Sequence, residues 1–126
     1  MEKEVLSTAS APAAIGPYSQ GIAAGNFVFA SGQLPINPAT GEMPEDIKDQ
    51  ARASLLNVKA VLEAAGSSLD KVVKTTCFLA DIKYFAEFNE VYAEFFPGQG
   101  APARSAVGIA ALPKGAKVEI EAIAIR

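Results

Sequence analysis

The chain is predicted to be an α+β protein: a two-layer sandwich in which a mixed β-sheet is covered on one face by two helices. Three observations predict it. Apolar spacing alternates between period two and helical period in the order β, β, β, α, β, α, β, β. Only two segments carry a helical apolar stripe, and two helices of this kind cover one face of a mixed sheet. The other face keeps Phe, Val, Thr and Ala, and such a face left uncovered should drive association. The expectation is therefore one domain over residues 1–126, assembled as a homo-oligomer with sites where subunits meet.

Lys3 to Leu6 is a short first strand. Ser10 to Ser19 carries two prolines and a glycine, fits no regular element, and is a loop. It presents Tyr18 directly after Pro17, whose fixed φ stiffens the approach. Such a tyrosine either serves a site or lids the core. Gln20 to Ala24 and Phe27 to Ser31 flank Gly25-Asn26, a two-residue hairpin turn. Phe27, Phe29 and Ser31 share one face and Val28 and Ala30 the other, so this strand is expected to be buried on both sides. Gly32 follows, where the missing side chain lets a ligand or another backbone come close. Leu34 to Pro44, with three prolines and Gly41, is a second loop.

Glu45 to Ala65 is the clearest helix. Pro44 precedes it, Glu45, Asp46 and Asp49 load its first turns, and Gly66 stands where a terminating glycine belongs. Ile47, Ala51, Leu55, Val58, Leu62 and Ala65 form one apolar stripe, and Arg52 lies on the opposite, solvated face. Lys71 to Ala80 is a long strand, with Val73, Thr75, Cys77 and Leu79 on one face and Val72, Lys74, Thr76 and Phe78 on the other. Asp81 caps a second helix that runs to about Phe96 and is closed by Pro97-Gly98; Phe85, Phe88 and Tyr92 build its stripe, with Asn89 beside it. Ala103 to Ile109 is a strand carrying Arg104, Ala106 and Gly108 on one face. Ala116 to Arg126 is the last strand, with Lys117, Glu119 and Glu121 opposite an apolar face.

Composition excludes several classes of chemistry. The net charge is −3 and no basic run exists, so nucleic acid is not an expected partner. No apolar run is long enough to span a bilayer, and Met1-Glu2-Lys3-Glu4 lacks the layout of a signal peptide. One cysteine, Cys77, cannot form an internal disulfide and agrees with a reducing, cytoplasmic compartment. The chain has no histidine, hence no Ser-His or Cys-His pair and no histidine-built metal site. No Gly-rich phosphate loop appears. No metal or cofactor is expected. What remains is a reaction of low intrinsic barrier in which positioning does most of the work.

Arg104 is the only arginine between Arg52 and Arg126. A guanidinium is costly to bury without an anion, and its fork fits a carboxylate bidentately. Arg104 therefore pairs with a carboxylate of the protein or receives one from a ligand. If the last two strands pair, a carboxylate from the Glu119 face approaches Arg104; otherwise Glu119 and Glu121 are solvated charges on an edge.

Several segments together resemble the reactive-intermediate deaminase family, RidA or YjgF: Ala11 to Gln20, Ser31-Gly-Gln-Leu-Pro35, Asn57-Val-Lys59 with Glu63-Ala-Ala-Gly66, Val73-Lys-Thr-Thr76, Pro102-Ala-Arg-Ser105 and Val118 to Ala124. Each is weak alone; the set, in order over nearly the whole chain, is specific. The resemblance implies the chorismate-mutase-like α+β fold and a homotrimer with three clefts between subunits. It implies hydrolysis of 2-imino acids, or their enamine tautomers, to 2-oxo acids and ammonia, the 2-iminobutanoate/2-iminopropanoate deaminase activity, on intermediates released by pyridoxal-phosphate enzymes such as threonine dehydratase. In family terms Arg104 clamps the substrate carboxylate, the backbone of Ala106 holds the imine end, and Glu119 positions or activates water. Tyr18, Ser31 and Asn89 line the pocket, and Gly32 lets substrate sit against the chain. Many relatives carry cysteine where this chain has Ala106, which excludes thiol-based regulation there. Two other readings use the same features: a non-catalytic protein that binds a small carboxylate, 2-oxo acid or amino acid, and signals through a partner, and a holdase chaperone. A ribonuclease reading fits poorly with the acidic charge and the missing histidine.

Overall fold

The computed structural model describes residues 1–126. Six strands form one mixed sheet: β1 (Lys3–Leu6), β2 (Gly21–Ala24), β3 (Phe27–Gln33), β4 (Val72–Leu79), β5 (Ala103–Gly108) and β6 (Val118–Ile125). Their order across the sheet is β1-β2-β3-β6-β4-β5. All neighbours are antiparallel except β4 and β5. Helix α1 (Ile47–Ala64) connects β3 to β4, and α2 (Phe85–Phe95) connects β4 to β5, the long crossovers that strands running in the same direction require. The element order and the α+β class match the sequence reading.

Asp46 caps α1 and lies just outside the helix, which the sequence reading starts at Glu45. The Asp46 carboxylate accepts from Lys48 N (3.0 Å) and Asp49 N (3.1 Å), so the helix begins at Ile47. Such a cap is worth about 1 kcal/mol. The helix ends before Gly66, which takes φ +79°, a conformation glycine adopts without strain. Leu55, Val58, Val61 and Leu62 are fully buried against the sheet, each contributing about 1.5–3 kcal/mol. Asp81 caps a short 3-10 turn, Ile82–Tyr84, that leads directly into α2. From α2, Phe88 and Val91 are fully buried in the same core, which also takes Val28, Cys77, Leu79, Val118 and Ile120 from the sheet.

The structure closes one open alternative and overturns two expectations, each for a physical reason. β5 and β6 do not pair: β4 lies between them and β5 is the sheet's edge. β3 is not buried on both sides, since Phe27 and Phe29 are 47% and 43% exposed on the face the helices leave open. Val72 and Val73 exchange faces. The register with β6 slips by a β-bulge between Val72 and Lys74, which turns Val72 into the core and Val73 out.

Candidate active site

A second bulge shapes the first half of the site. Between Ala30 and Gln33, β3 carries one more residue than β6 does between Ala122 and Ile120, and Ser31 and Gly32 occupy the irregularity. Glu119 on β6 projects from the open face of the sheet, opposite Phe78 of β4. Its carboxylate crosses Gly32 so closely that a Cβ there would lie 2.5 Å from Oε1. Burial pushes the Glu119 carboxyl above the ordinary glutamate range, and the neighbouring Glu121 charge adds to the shift.

Loops wall this half. Ser31 Oγ donates to Ser19 O (2.5 Å) and Ser31 N to Gln20 O (3.0 Å), tying the bulge to the loop that holds Tyr18. Gln20, almost fully buried, accepts from Thr8 N (2.7 Å), and its Nε2 reaches the carbonyls of Ala11 (3.2 Å) and Pro12 (2.8 Å). On the far side, Asn57 Nδ2 donates to Leu34 O (2.9 Å) and Ile36 O (2.8 Å), and Ser54 Oγ to Gln33 O (2.7 Å). Gln50 joins Pro44 O (2.7 Å) to Lys117 N (2.8 Å). The open cleft between them measures about 700 Å³, and Tyr18, Ser31, Gly32 and Glu119 all line it. Tyr18 itself is half exposed.

The second half lies on the sheet's edge, on the helix side. Arg104 pairs in register with Thr75, a core residue, so its side chain rises toward α2. Nη1 donates to Asn89 Oδ1 (2.7 Å). The guanidinium carbon lies 4.6 Å from the centre of the Tyr92 ring and 5.4 Å from that of Phe85. No carboxylate of the chain pairs with it: the ion pairs of the protein involve Lys48, Arg52, Lys83 and Arg126. Asn89, Tyr92, Pro102 and Arg104 border a shallow cavity of about 380 Å³. Two residues on, Ala106 faces the same way, opposite Cys77. Ile109 N donates to Leu79 O (2.8 Å), so by alternation the N–H and C=O of Val107 turn toward β4 and those of Ala106 turn to the open edge.

One chain thus gathers Tyr18, Ser31, Gly32 and Glu119, and separately Arg104, Asn89 and Ala106. It does not bring the two groups together. Arg104 and Glu119 stand on opposite faces of the sheet with β4 between them. They are two strand spacings apart (about 10 Å) and, since Arg104 aligns with Ala122 through Thr75, three residues along (about 10 Å). The sequence reading assigned no role to Gln50, Ser54 and Asn57, whose spacing on α1 places them in a row beside the apolar stripe. Nor did it see Phe85 and Tyr92 as more than core, although Asn89 sits between them at helical spacing.

The fold is that of a small α+β protein carrying two separate polar clusters, an arginine without a carboxylate partner on one face of the sheet and a half-buried carboxylate over a glycine on the other. Residues 8–126 match the family described as endoribonuclease L-PSP, and the chain belongs to that family, the one that contains the YjgF-type reactive-intermediate deaminases. A RutC family protein of Pyrococcus horikoshii is 58% identical over 125 residues, covering 98% of each chain. A 2-iminobutanoate/2-iminopropanoate deaminase of Escherichia coli strain K12 is 54% identical over 125 residues, again covering 98% of each. The crystal structure of E. coli TdcF with bound serine superposes with a TM-score of 0.93 at 53% identity, covering 98% of each chain.

Proposed function

We propose that the protein is a 2-iminobutanoate/2-iminopropanoate deaminase, hydrolysing reactive imines and enamines released by pyridoxal-phosphate enzymes to 2-oxo acids and ammonia. The observation that carries this reading is Arg104: a half-buried guanidinium, stacked on two rings and bonded to an uncharged amide, with no carboxylate of its own chain. Its fork is held ready for a carboxylate from outside. The full-length likeness to the E. coli deaminase supports the reaction.

The chemistry matches what the chain contains. A protonated 2-imino acid is already electrophilic at C2, so neither metal nor covalent nucleophile is needed. Arg104 holds the carboxylate, and the outward backbone of Ala106 meets the nitrogen end. Glu119, ionised above its raised pKa, takes a proton from water as the oxygen adds to C2. The proton passes to nitrogen, the C–N bond of the carbinolamine breaks as the freed Glu119 carboxylate takes the hydroxyl proton, ammonia leaves and the C=O of the 2-oxo acid forms. Tyr18, Ser31 and Asn89 line the pocket, and Gly32 leaves room for Glu119 and substrate together.

The site is completed by assembly. The protein is a homotrimer in this proposal, with Arg104, Asn89 and Ala106 from one copy meeting Tyr18, Ser31, Gly32 and Glu119 of the next. Support comes from the separation of the two groups within one chain and from the exposed apolar residues Phe27, Phe29 and Ile125 on the open sheet face. The compartment is cytoplasmic in this reading; no helix is long and apolar enough to cross a membrane.

The deciding experiment generates 2-aminoacrylate or 2-iminobutanoate in place with threonine dehydratase and follows 2-oxo acid release. Acceleration that is lost in Arg104→Ala is the expected result; no acceleration from folded, assembled protein overturns the proposal. One observation favours a second reading, a carboxylate-binding regulator: TdcF has been crystallised with serine bound. Ligand binding without turnover in the same assay would establish it.

A further inference from the structure

The aromatic residues beneath Arg104 are not simply core. Tyr92 is 7% exposed, and its hydroxyl shares a 2.7 Å hydrogen bond with Thr75 Oγ1, on a residue with no exposure at all. The bond crosses from α2 to β4, the strand that pairs with Arg104's own strand in register at Thr75. Cys77 Sγ lies 4.0 Å from the same Thr75 oxygen, closing a short polar chain inside the apolar layer. Phe96 packs tilted against Tyr92, ring centres 4.8 Å apart, and Phe88 lies 5.7 Å away. The ring is therefore held by bonds and contacts on its hydroxyl and flanks while its open face meets the guanidinium at 4.6 Å. A freely rotating arginine side chain has four torsions to fix on binding; here Asn89 fixes the fork at one nitrogen, and Tyr92 with Phe85 fixes its plane.

We propose that Tyr92 is a positioning residue for the substrate carboxylate. Its ring, anchored through Thr75, sets the plane of the Arg104 guanidinium so that the fork is oriented before ligand arrives. This rests on the assignment of Arg104 as the clamp. The ring acts through its π face, worth about threefold to thirtyfold in ligand affinity where the cation is partly desolvated. The hydroxyl acts on stability, as the anchor to Thr75.

Three variants separate these roles, each measured by thermal unfolding, by steady-state kinetics on 2-iminobutanoate formed in place, and by the Kd of 2-oxobutanoate in calorimetry. Tyr92→Phe keeps the ring, still flanked by Phe88 and Phe96, and loses the bond to Thr75: the expected result is a lower Tm with KM and Kd raised clearly less than in Tyr92→Leu. Tyr92→Leu loses the ring: the expected result is a rise of about tenfold in both KM and Kd, with kcat changed much less, because the fork is misaligned in ground state and transition state alike. Wild-type KM and Kd in a folded Tyr92→Leu protein, or equal losses in the Phe and Leu variants, overturn the proposal. Should Tyr92→Leu not fold, Tyr92→Met, which also lacks the ring but refills its volume, decides in its place, with a rise in KM and Kd expected and wild-type values overturning the proposal. Arg104→Ala is measured alongside. If it retains activity, the clamp assignment is what has failed; if it is inactive while Tyr92→Leu matches wild type, only the positioning role has failed.

Discussion

Glu119 occupies the space that a side chain at Gly32 would need: an added Cβ would stand 2.5 Å from its Oε1 and 2.8 Å from its Cδ. The carboxylate and the bulged glycine are one unit, and its consequence is testable. In Gly32→Ala the Glu119 side chain must swing aside, which is cheap because it is the far end of a flexible chain. Displacing a reacting group by about 1 Å costs as much as a hundredfold in rate. The expected outcome is a fall in kcat of tenfold to a hundredfold with little change in Tm. A wild-type kcat would show that the carboxylate does not act from where it sits.

The Glu119 carboxyl is held above the ordinary glutamate range by burial first and by the Glu121 charge second, and this sets two pH dependences. As a base, Glu119 must be ionised, so kcat/KM should rise with pH through the raised value, and Glu119→Gln should abolish that rise and lower kcat more than it raises KM. Glu121→Gln should move the rise to lower pH. For stability the sign is the opposite. A carboxyl whose folded-state pKa is raised contributes stability that is fully present below the unfolded value and is lost as pH rises through the folded one. Glu119→Gln should therefore gain Tm over wild type between acid and neutral pH. Unfolding curves across that range, one for each protein, check it.

Arg104 has no charged partner to lose, only Asn89 and two rings. Its replacement by alanine should leave the Tm within a few degrees while kcat/KM falls by a hundredfold or more, on the order of two charge-assisted hydrogen bonds. Lysine should rescue little, because a point charge cannot take the bidentate fork's place on the ring platform. Full activity in either variant would remove Arg104 from the site.

The strands and helices were legible because their signals are local. Pro44, Asp46 and Gly66 bracket α1 in the chain itself, and Gly25-Asn26 marks the β2–β3 hairpin without reference to anything distant. What failed was non-local. Neighbouring strands in sequence usually pair, which made β5 and β6 look like partners; the two helical crossovers instead insert β4 between them. The Val72–Lys74 bulge inverts the expected faces at the start of β4, and the Ser31–Gly32 bulge brings Glu119 over the glycine; neither leaves a mark in alternation alone. Arg104, Glu119, Tyr18, Ser31, Gly32, Asn89 and Ala106 were all nameable as candidates. Their division between two faces of the sheet was not, since it depends on strand order.

Cys77 is fully buried between Thr75 and the core, and burial pushes its thiol up to about 11. The reactive species is the thiolate, so the native protein should label with thiol reagents only as fast as it opens. A labelling rate near that of a free thiol, in the absence of denaturant, would contradict the packing around β4. Since Ala106 offers no sulfur either, activity is expected to survive treatment with such reagents.

The separation of Arg104 from Glu119 in one chain leads to the sharpest test of assembly. If each site takes its arginine cluster from one copy and its carboxylate cluster from the next, two dead variants can repair each other. Arg104→Ala and Glu119→Gln protein, unfolded together, mixed in equal amounts and refolded, should recover about a quarter of wild-type activity, since half of the copies supply each intact cluster and random assembly brings two intact ones together a quarter of the time. Each variant refolded alone should stay inactive. Recovery should also vanish when association is blocked at the open sheet face, where Phe29 is 43% exposed and pairs with Ile123 of β6. Phe29→Lys is expected to give monomers that fold but do not turn over. Activity from such monomers, or no recovery from the mixed variants, would mean that a single chain closes by itself a gap of about 14 Å across two faces of its sheet, which the strand order β3-β6-β4-β5 forbids without breaking the ladder between β4 and β6.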